Sequence, residues 1–404
     1  MTTCIRLSAT CLLLVAPVCT WAGGPADSVV KITATLRYPN PLKPWAKGEP
    51  KEVTGTGIVI EGKRILTNSH LVLYASDIAV QTRPGADKIE AKIAGLGADV
   101  DLAVLTLKDD ALFKKQPSLT AGKGLPKVQD NVEVYGFPIG GDDLAVTKGV
   151  ISRIGFGTYF DFRPGLMIQV SAPINPGSSG GPAVVNGKLA GVVFSRLVGA
   201  ENTGYIIPYE EVEYFLDHLK DGRSEAKPME ATGVEFQRLE NDAFRHMLKL
   251  DKDVKGVLVH PPPRHEGEYP LKEFDILTKV GDYPVDNLGM VRLENDVFAP
   301  LTAAVPKAAR DRAVAVTILR GGKPLTVSLP VTTRDNRLIP DYQGEAPAYF
   351  IHGPLAFSPV RVDGLMWYTR LNPDLYSNNS PMLNRRLDRV QFPGEELVAV
   401  TAPM

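Results

Sequence analysis

The feature that most constrains this fold is a run of short β-type segments from residue 28 to about 207. The segments include SVVKITATL, GTGIVI, DLAVLTL, NVEVYGF, LMIQVSA and KLAGVVF. Turn residues separate them and no helical pattern alternates with them, which is typical of a β-barrel or a β-sandwich. The run closes with PYEEVEYFLDHLKDG, whose apolar residues recur at helical spacing. This spacing predicts a helix that begins at Pro208 and ends at Gly222.

The composition changes after this helix. The polar segment SEAKPME predicts a domain boundary, and residues 231–335 form a predicted second domain of strands such as KGVLV, FDILTKV, AVAVTIL and PLTVSLPV. Two short helices are expected there, NDAFRHMLKL and NDVFAPLTAAV. Residues 340–404 contain the β-type segments AYFIHG and ELVAVTA and a helical SPMLNRRLDR. A chain of 404 residues has room for two or three such domains.

The first residues, MTTCIRLSATCLLLVAPVCTWAGG, resemble a targeting segment. Arg6 supplies the positive charge, an apolar stretch too short to span a bilayer follows, and cleavage is expected after Ala22. Residues 1–22 are therefore a predicted signal peptide, and the mature chain is expected to be exported, in the periplasm. All three cysteines lie in this segment, so the mature chain would have no disulfide and no thiolate metal site.

The stretch INPGSSGGPAVV contains two serines in a glycine-rich turn. Glycine and serine are common in ordinary turns, so this stretch alone does not indicate catalysis. A serine nucleophile needs a histidine to accept its proton and a buried carboxylate to orient that histidine. Of six histidines, only His70 precedes the serines within the β-rich region. Asp101, at the start of an apolar strand, is the candidate carboxylate, with Asp99 as its rival. The order His70, Asp101, Ser179 is that of the chymotrypsin class.

The glycines of PGSSGGP indicate which serine is the nucleophile. Gly177 permits a turn in which its own N–H and that of Ser179 form an oxyanion hole. Ser178 lies between these donors, and its side chain is expected to point away. Gly180 and Gly181 are expected to leave room for substrate beside the hydroxyl.

The blocks TNSHLV, DLAVL and INPGSSGGP resemble the catalytic blocks of the HtrA/Deg serine proteases, which are trypsin-like double β-barrels. The segment GYIIP resembles the family's strand that lines the primary specificity pocket, and the resemblance spans residues 28–222. It implies that His70 is the general base, Asp101 its orienting carboxylate and Ser179 the nucleophile, with Gly177 and Ser179 supplying the oxyanion amides. Ser178 departs from the family, which usually has Asn there, but its side chain is outside the proton relay.

The resemblance continues into a PDZ domain. Thr232, Gly233 and Val234 match the loop that binds a peptide carboxylate, and KGVLV and YPLKEFDILTKVGDYPV resemble the PDZ core. Such a domain adds a peptide strand to the edge of its sheet. YFIHGPLAFSPV is similar to the plant-type Deg subgroup, so residues 340–404 are expected to be a degenerate or truncated second PDZ-like segment. The family also implies a homo-oligomer, a trimer or a multiple of it.

The expected function is ATP-independent cleavage of misfolded proteins in the cell envelope. No phosphate-binding loop or dinucleotide motif is present, and a net charge of -1 does not favour nucleic acid. No cofactor is expected. His260 and His265 flank prolines that prevent a helical zinc motif, so no metal is expected. APINPG and GYIIP contain no acid, which favours a small or medium apolar side chain before the cleaved bond. Two alternatives stay open, a non-proteolytic chaperone or peptide-binding scaffold, and an adaptor whose protease is latent.

Overall fold

The computed structural model describes residues 24–403 except 84, 140, 142, 160–163, 197–202, 225–226, 228, 231–232, 261–268, 334–335, 341–343, 363, 366–378 and 387. The predicted targeting segment, residues 1–22, lies outside the described residues. Within the described part, no helix is long and apolar enough to cross a membrane.

The predicted β-rich run forms two barrels of six strands each. The first contains β1 (Val29–Leu36), β2 (Lys51–Ile60), β3 (Arg64–Thr67), β4 (Ala75–Gln81), β5 (Ile89–Gly97) and β6 (Leu102–Leu107). Its strand order is β5-β4-β1-β2-β3-β6, and pairing of β5 with β6 closes it. Alternate side chains of β1 face inward, as period-2 geometry requires, and these are Val30, Ile32, Ala34 and Leu36.

The second barrel is closed in the order β10-β11-β12-β9-β8-β7. Its strands are β7 (Asn131–Gly136), β8 (Ala145–Thr158), β9 (Pro164–Val170), β10 (Pro182–Val185), β11 (Lys188–Arg196) and β12 (Gly204–Pro208). One apolar core joins the two barrels, with Leu66, Leu102 and Val104 from the first and Tyr135, Phe137 and Phe194 from the second. The chain segments that follow β3 and precede β6 and β10 therefore connect to strands that share one core.

The closing helix is shorter than the spacing predicted. Helix α1 (Tyr209–Asp217) begins where expected but ends five residues before Gly222. The residues that follow form a hairpin, β13 (Leu219–Lys220) and β14 (Arg223–Ser224), whose turn contains Gly222 at φ +77°. The prediction of a helix to Gly222 was wrong because β14 pairs with β5 of the first barrel.

A seven-stranded sheet follows, in the order β15-β23-β22-β18-β17-β16 with β19 on β18. Its strands are β15 (Met229–Glu230), β16 (Phe236–Arg238), β17 (Val257–Val259), β18 (Ile276–Val280), β19 (Tyr283–Pro284), β22 (Ala313–Arg320) and β23 (Lys323–Thr332). The helix predicted in NDAFRHMLKL is confirmed as α2 (Asp242–Met247), capped by the Asn241 side chain.

The helix predicted in NDVFAPLTAAV was wrong. Its first residues end a 3₁₀ turn, Glu294–Asp296, and its middle part is strand β21 (Phe298–Pro300), which pairs with β20 (Met290–Arg292). Only a 3₁₀ turn, Leu301–Ala304, and the single-turn helix α3 (Val305–Ala308) follow. Pro300 has no backbone N–H to donate within a helix, and it disfavours the helical conformation at the residue before it. A helix through Pro300 is therefore disfavoured, and the helical turns begin only at Leu301.

The last segment forms a three-stranded sheet of β24 (Phe350–His352), β25 (Leu355–Pro359) and β26 (Val398–Pro403). The strands predicted in AYFIHG and ELVAVTA are thus confirmed. The helix predicted in SPMLNRRLDR is limited to α4 (Pro381–Asn384). The molecule is mainly β, with two six-stranded barrels followed by further sheets, as the sequence predicted.

Candidate active site

His70 and Asp101 are in direct contact at the end of the first barrel. The chain leaves β3 at Thr67 and forms a 3₁₀ turn, Ser69–Leu71, that carries the imidazole. His70 Nδ1 lies 2.8 Å from Asp101 Oδ2. The carboxyl side chain is 1% exposed, whereas the imidazole keeps 32% of its surface exposed. The carboxylate therefore fixes one ring nitrogen while part of the ring stays accessible.

Asp101 is held by several donors from the turn that carries His70. Its Oδ1 accepts hydrogen bonds from Ser69 Oγ and from the His70 backbone N–H, each at 2.9 Å. Its carbonyl accepts from Asn68 Nδ2 at 3.0 Å. The residue adopts the left-handed conformation, φ +54°, which Asp tolerates better than most residues. The carboxyl group is therefore held in one orientation beneath the imidazole.

The environment of His70 changes its basicity. Burial of the ring alone would lower the pKa of His70, since burial disfavours the imidazolium. The charge of Asp101 and its hydrogen bond oppose this effect and outweigh it, so that the net pKa is raised above the usual 6.5. The ring is thus a stronger base than a free imidazole.

The glycine-rich stretch forms a tight loop between β9 and β10. Its carbonyls are all tied back to the protein, since each carbonyl from Pro176 to Ser179 accepts one hydrogen bond. The donors, in chain order, are Ile139 N at 2.8 Å, Thr56 Oγ1 at 2.7 Å, Gly181 N at 3.0 Å and Thr56 N at 2.9 Å. The loop conformation is therefore fixed from both barrels.

The amide groups of the same loop follow an alternating pattern. The N–H of Ser178 donates to Asn175 O at 3.0 Å and that of Gly180 to Val193 O at 2.8 Å. Among the described residues, no protein acceptor receives the N–H of Gly177 or that of Ser179. Gly177 has φ +98°, a conformation that favours glycine. These two free amides are the pair expected to form an oxyanion hole.

The Ser179 hydroxyl lies at the edge of this loop. In the described part of the chain it makes one hydrogen bond, to Phe194 O at 3.5 Å. The loop also contacts the end of β3, because a Cβ on Gly180 would lie 2.3 Å from Thr67 Oγ1. Thr67 precedes His70 by three residues. The serine loop and the histidine turn are thereby adjacent.

The expectation that Gly180 and Gly181 leave room for substrate was wrong. A Cβ on Gly180 would lie 2.1 Å from the carbonyl oxygen of Thr56, and one on Gly181 would lie 2.1 Å from that of Tyr135. Protein backbone from β2 and β7 occupies this space. Ser178 is 7% exposed, and a Cβ on Gly136 would lie 2.9 Å from its hydroxyl.

Thr56 is the residue of this site that the sequence analysis missed. It is 0% exposed and contacts the loop through both its hydroxyl and its backbone N–H. The only sequence signal was a threonine between two glycines in the strand GTGIVI, which does not distinguish it from other strand threonines.

The segments APINPG and GYIIP, from which the substrate preference was predicted, contact each other. Ile174 of APINPG packs against Gly204 of GYIIP, where an added Cβ would lie 2.2 Å from Ile174 Cδ1. Ile174 is 8% exposed and belongs to an apolar cluster with Val170 and Ile206.

The residues expected to bind a peptide carboxylate are only partly described, because Thr232 lies outside the described residues. Gly233 has φ +70°, and an added Cβ there would lie 2.3 Å from Arg389 Nε. Val234 is 9% exposed and packs in the core of the seven-stranded sheet. His265 also lies outside the described residues, and the described ones contain no group of three or more His, Cys, Asp or Glu side chains suited to a metal ion.

Comparison with known proteins agrees with this fold. A family model described as a trypsin-like peptidase domain matches residues 55–192. A solved structure described as "HtrA-type protease AlgW with tripeptide" has a TM-score of 0.57 at 22% identity, covering 76% of this chain and 93% of that chain. At this identity the likeness shows the fold. The fold and the site together define the trypsin-like class of serine proteases.

Three Arabidopsis thaliana proteins identify the family more closely. Protease Do-like 4, mitochondrial, is 31% identical over 83% of this chain and 64% of its own length. Protease Do-like 2, chloroplastic, is 34% identical over 83% of this chain and 55% of its own length. Putative protease Do-like 13 is 30% identical over 83% of this chain and 69% of its own length. The chain belongs to the HtrA/Deg family, and it spans roughly 55 to 69% of the length of these relatives.

Proposed function

We propose that the protein is a serine endopeptidase whose nucleophile is Ser179. The observation that carries this proposal is the alternating hydrogen-bond pattern of the loop: among the described residues, no protein acceptor receives the N–H of Gly177 or that of Ser179, on either side of Ser178. His70, oriented through Nδ1 by Asp101, is the proposed general base through its Nε2. The hydroxyl turns from Phe194 O toward this nitrogen when substrate binds, since such contacts tighten in the substrate complex.

The reaction proceeds in two acyl-transfer steps. Ser179 Oγ attacks the peptide carbonyl carbon while its proton passes to His70 Nε2, and the oxyanion accepts hydrogen bonds from the N–H groups of Gly177 and Ser179. His70 then gives the proton to the departing amine as the C–N bond breaks. This leaves the acyl group bound to Ser179 as an ester. A water molecule then attacks the ester carbonyl while His70 accepts its proton, and His70 returns that proton to Ser179 Oγ as the ester bond breaks.

We propose that substrates carry a small or medium apolar side chain before the cleaved bond. The contact between Ile174 and Gly204 supports this, because it places apolar atoms between APINPG and GYIIP and leaves no space there for a larger side chain. Neither segment contains an acid that would pair with Arg or Lys. Peptide substrates that differ only at this position test the preference.

We propose that the seven-stranded sheet is a PDZ domain within the predicted boundaries 231–335, and that residues 340–404 are a reduced second one. β16 forms an edge of the sheet, next to the Gly233 turn, as strand addition by a peptide C-terminus requires. The Arg389 side chain beside Gly233 adds a positive group near the expected carboxylate position. Binding of free and amidated C-terminal peptides distinguishes carboxylate recognition from other contacts.

We further propose that the physiological role is degradation of misfolded proteins in the cell envelope by a trimer or a multiple of it. Residues 1–22 support delivery across a membrane and removal after Ala22. N-terminal sequencing of the mature protein tests the cleavage, and sedimentation velocity tests the oligomer against the 43.8 kDa of the full chain.

The proposed activity is tested by degradation of casein without ATP by the protein and by its Ser179→Ala form. We expect cleavage by the first and none by the second. Cleavage by Ser179→Ala would overturn the assignment of the nucleophile. Suppression of substrate aggregation by both forms without any cleavage would instead favour a chaperone or scaffold.

A further inference from the structure

Thr56 of β2 contacts the serine loop through both its side chain and its backbone. Its Oγ1 donates to Gly177 O at 2.7 Å and accepts from Phe137 N at 2.9 Å. Its backbone N–H donates to Ser179 O at 2.9 Å. Thr56 thus holds the carbonyls of both residues that supply the free amides.

These contacts restrict the peptide units next to the free amides. The peptide units of the loop are planar, so fixing a carbonyl fixes the direction of the N–H in the same unit. The carbonyl of Gly177 shares its unit with the Ser178 N–H, which donates to Asn175 O. The N–H of Gly177 shares its unit with Pro176 O, which accepts from Ile139 N, and the N–H of Ser179 shares its unit with Ser178 O, which accepts from Gly181 N. Thr56 holds the unit that follows each of these two, so it restricts the rotation of both free amides.

Thr56 is itself fixed from a third direction. Its carbonyl accepts from Thr67 Oγ1 at 2.7 Å, and Thr67 ends the strand that leads to His70. The same carbonyl lies 2.1 Å from the Cβ position of Gly180, so no side chain fits between the two backbones. One buried residue therefore links the histidine strand with the serine loop, across the two barrels.

We propose that Thr56 is a positioning residue, which holds the serine loop in the conformation that presents both oxyanion amides. This role rests on the proposed function. It differs from a role in the proton relay, because Thr56 makes none of the contacts described for His70 and Asp101. Loss of its hydroxyl is expected to weaken transition-state stabilisation while leaving substrate binding and the basicity of His70 unchanged.

The test is a graded series at position 56, with Thr56→Ser, Thr56→Cys and Thr56→Val in the full chain. We expect kcat on a peptide substrate to fall about 10- to 100-fold in Thr56→Val, since loosening the amides costs less than removing one. Thr56→Cys, with its weak donor, is expected to lie between, and Thr56→Ser to stay within about 3-fold of the unsubstituted protein. KM and the midpoint of the acidic limb of the pH profile should not move.

Thr401→Val is the matched control, because Thr401 Oγ1 also makes one buried hydrogen bond to a carbonyl, Ala356 O, but in the C-terminal sheet. It should retain full kcat. If Thr56→Val does not fold, kcat is compared between Thr56→Cys and Thr56→Ser instead. The role predicts a lower kcat for Thr56→Cys, by a smaller factor than for Thr56→Val.

The outcomes also separate this role from the proposed function. Equal rates of fluorophosphonate labelling for Thr56→Val and the unsubstituted protein would overturn the positioning role alone. A loss confined to KM, or one that tracks only the folded fraction, would overturn it as well. Absence of labelling in the unsubstituted protein would overturn the proposed function, and the role of Thr56 with it.

Discussion

At the scale of single residues, the site depends on two opposing effects on the pKa of His70, burial of the ring and the charge of Asp101. Burial alone disfavours the imidazolium, and the carboxylate at 2.8 Å reverses the sign of the effect. A general base must be neutral to accept a proton. Since the pKa of His70 is raised, activity should be lost as the pH falls through a midpoint above 6.5.

Asp101→Asn tests this balance. Without the charge, burial of the ring dominates, so the acidic limb of kcat/KM should move to a lower pH. The activity at its optimum should fall about 10⁴-fold, as expected when the orienting carboxylate of a triad is lost. The measurement is kcat/KM from about pH 5 to 9, an interval that covers the range over which histidine titrates. Asp99→Asn, two residues away, is the control and should stay within about 2-fold. An unmoved acidic limb in Asp101→Asn would contradict the assignment.

At the scale of elements, glycines matter where a backbone packs closely against them. Gly180 in the serine loop and Gly187 in the turn between β10 and β11 have similar backbones, with φ +84° and +74°. An added Cβ meets Thr56 O at 2.1 Å in the first case and nothing within 4 Å in the second. The pair separates the cost of conformation from the cost of close approach.

Gly187→Ala should destabilise the protein by about 1–2 kcal/mol, the cost of a left-handed alanine. Gly180→Ala should cost about 3 kcal/mol or more, because β2 must also move, and it should reduce activity. Urea denaturation of the two variants gives the comparison. Equal losses of stability would show that the contact with Thr56 is unimportant.

At the scale of the whole molecule, the connection between the barrels and the following sheet contains a partly buried ion pair. Lys227, in the segment predicted to be a domain boundary, lies 2.7 Å from Glu211 of α1. The Glu211 side chain is 5% exposed and that of Lys227 29%. The segment after the protease barrels is therefore held against α1 by this contact.

Lys227→Met should destabilise the protein by about 2–3 kcal/mol, since it leaves a buried carboxylate without its cation. The surface pair Lys63 and Asp110, 2.7 Å apart with side chains 64% and 55% exposed, provides the control. Lys63→Met should cost less than about 1 kcal/mol. Thermal unfolding compares the two, and an equal effect would mean that Lys227 is solvated in solution.

Much of the fold and the candidate triad could be predicted because each depends on local patterns. Short strands with intervening turns predicted the barrels. The order of His70, Asp101 and Ser179 predicted a triad, of which the structure shows the contact between His70 and Asp101. The prediction of the closing helix was wrong at its C-terminal end, because apolar residues at helical spacing continue into β13. What ends the helix is pairing of β14 with β5, a contact between residues 223 and 96 that no local pattern contains.

Thr56 was beyond prediction for the same reason. Its hydrogen bond to Gly177 joins residues 121 positions apart. Gly180 and Gly181 were predicted to serve substrate because a glycine beside a nucleophile suggests open space. Backbone atoms of β2 and β7 occupy the volume that a side chain would fill at these glycines. This packing joins residues far apart in the sequence, so no local pattern predicts it.

The central claim is that Ser179 is an activated nucleophile, and covalent labelling tests it most directly. The mature protein is treated with a fluorophosphonate probe, digested and mapped by mass spectrometry, beside the Ser179→Ala and Ser178→Ala forms. The account predicts one adduct, on Ser179, in the unsubstituted and Ser178→Ala proteins and none in Ser179→Ala. An adduct on Ser178, or no adduct on the folded unsubstituted protein, would contradict it.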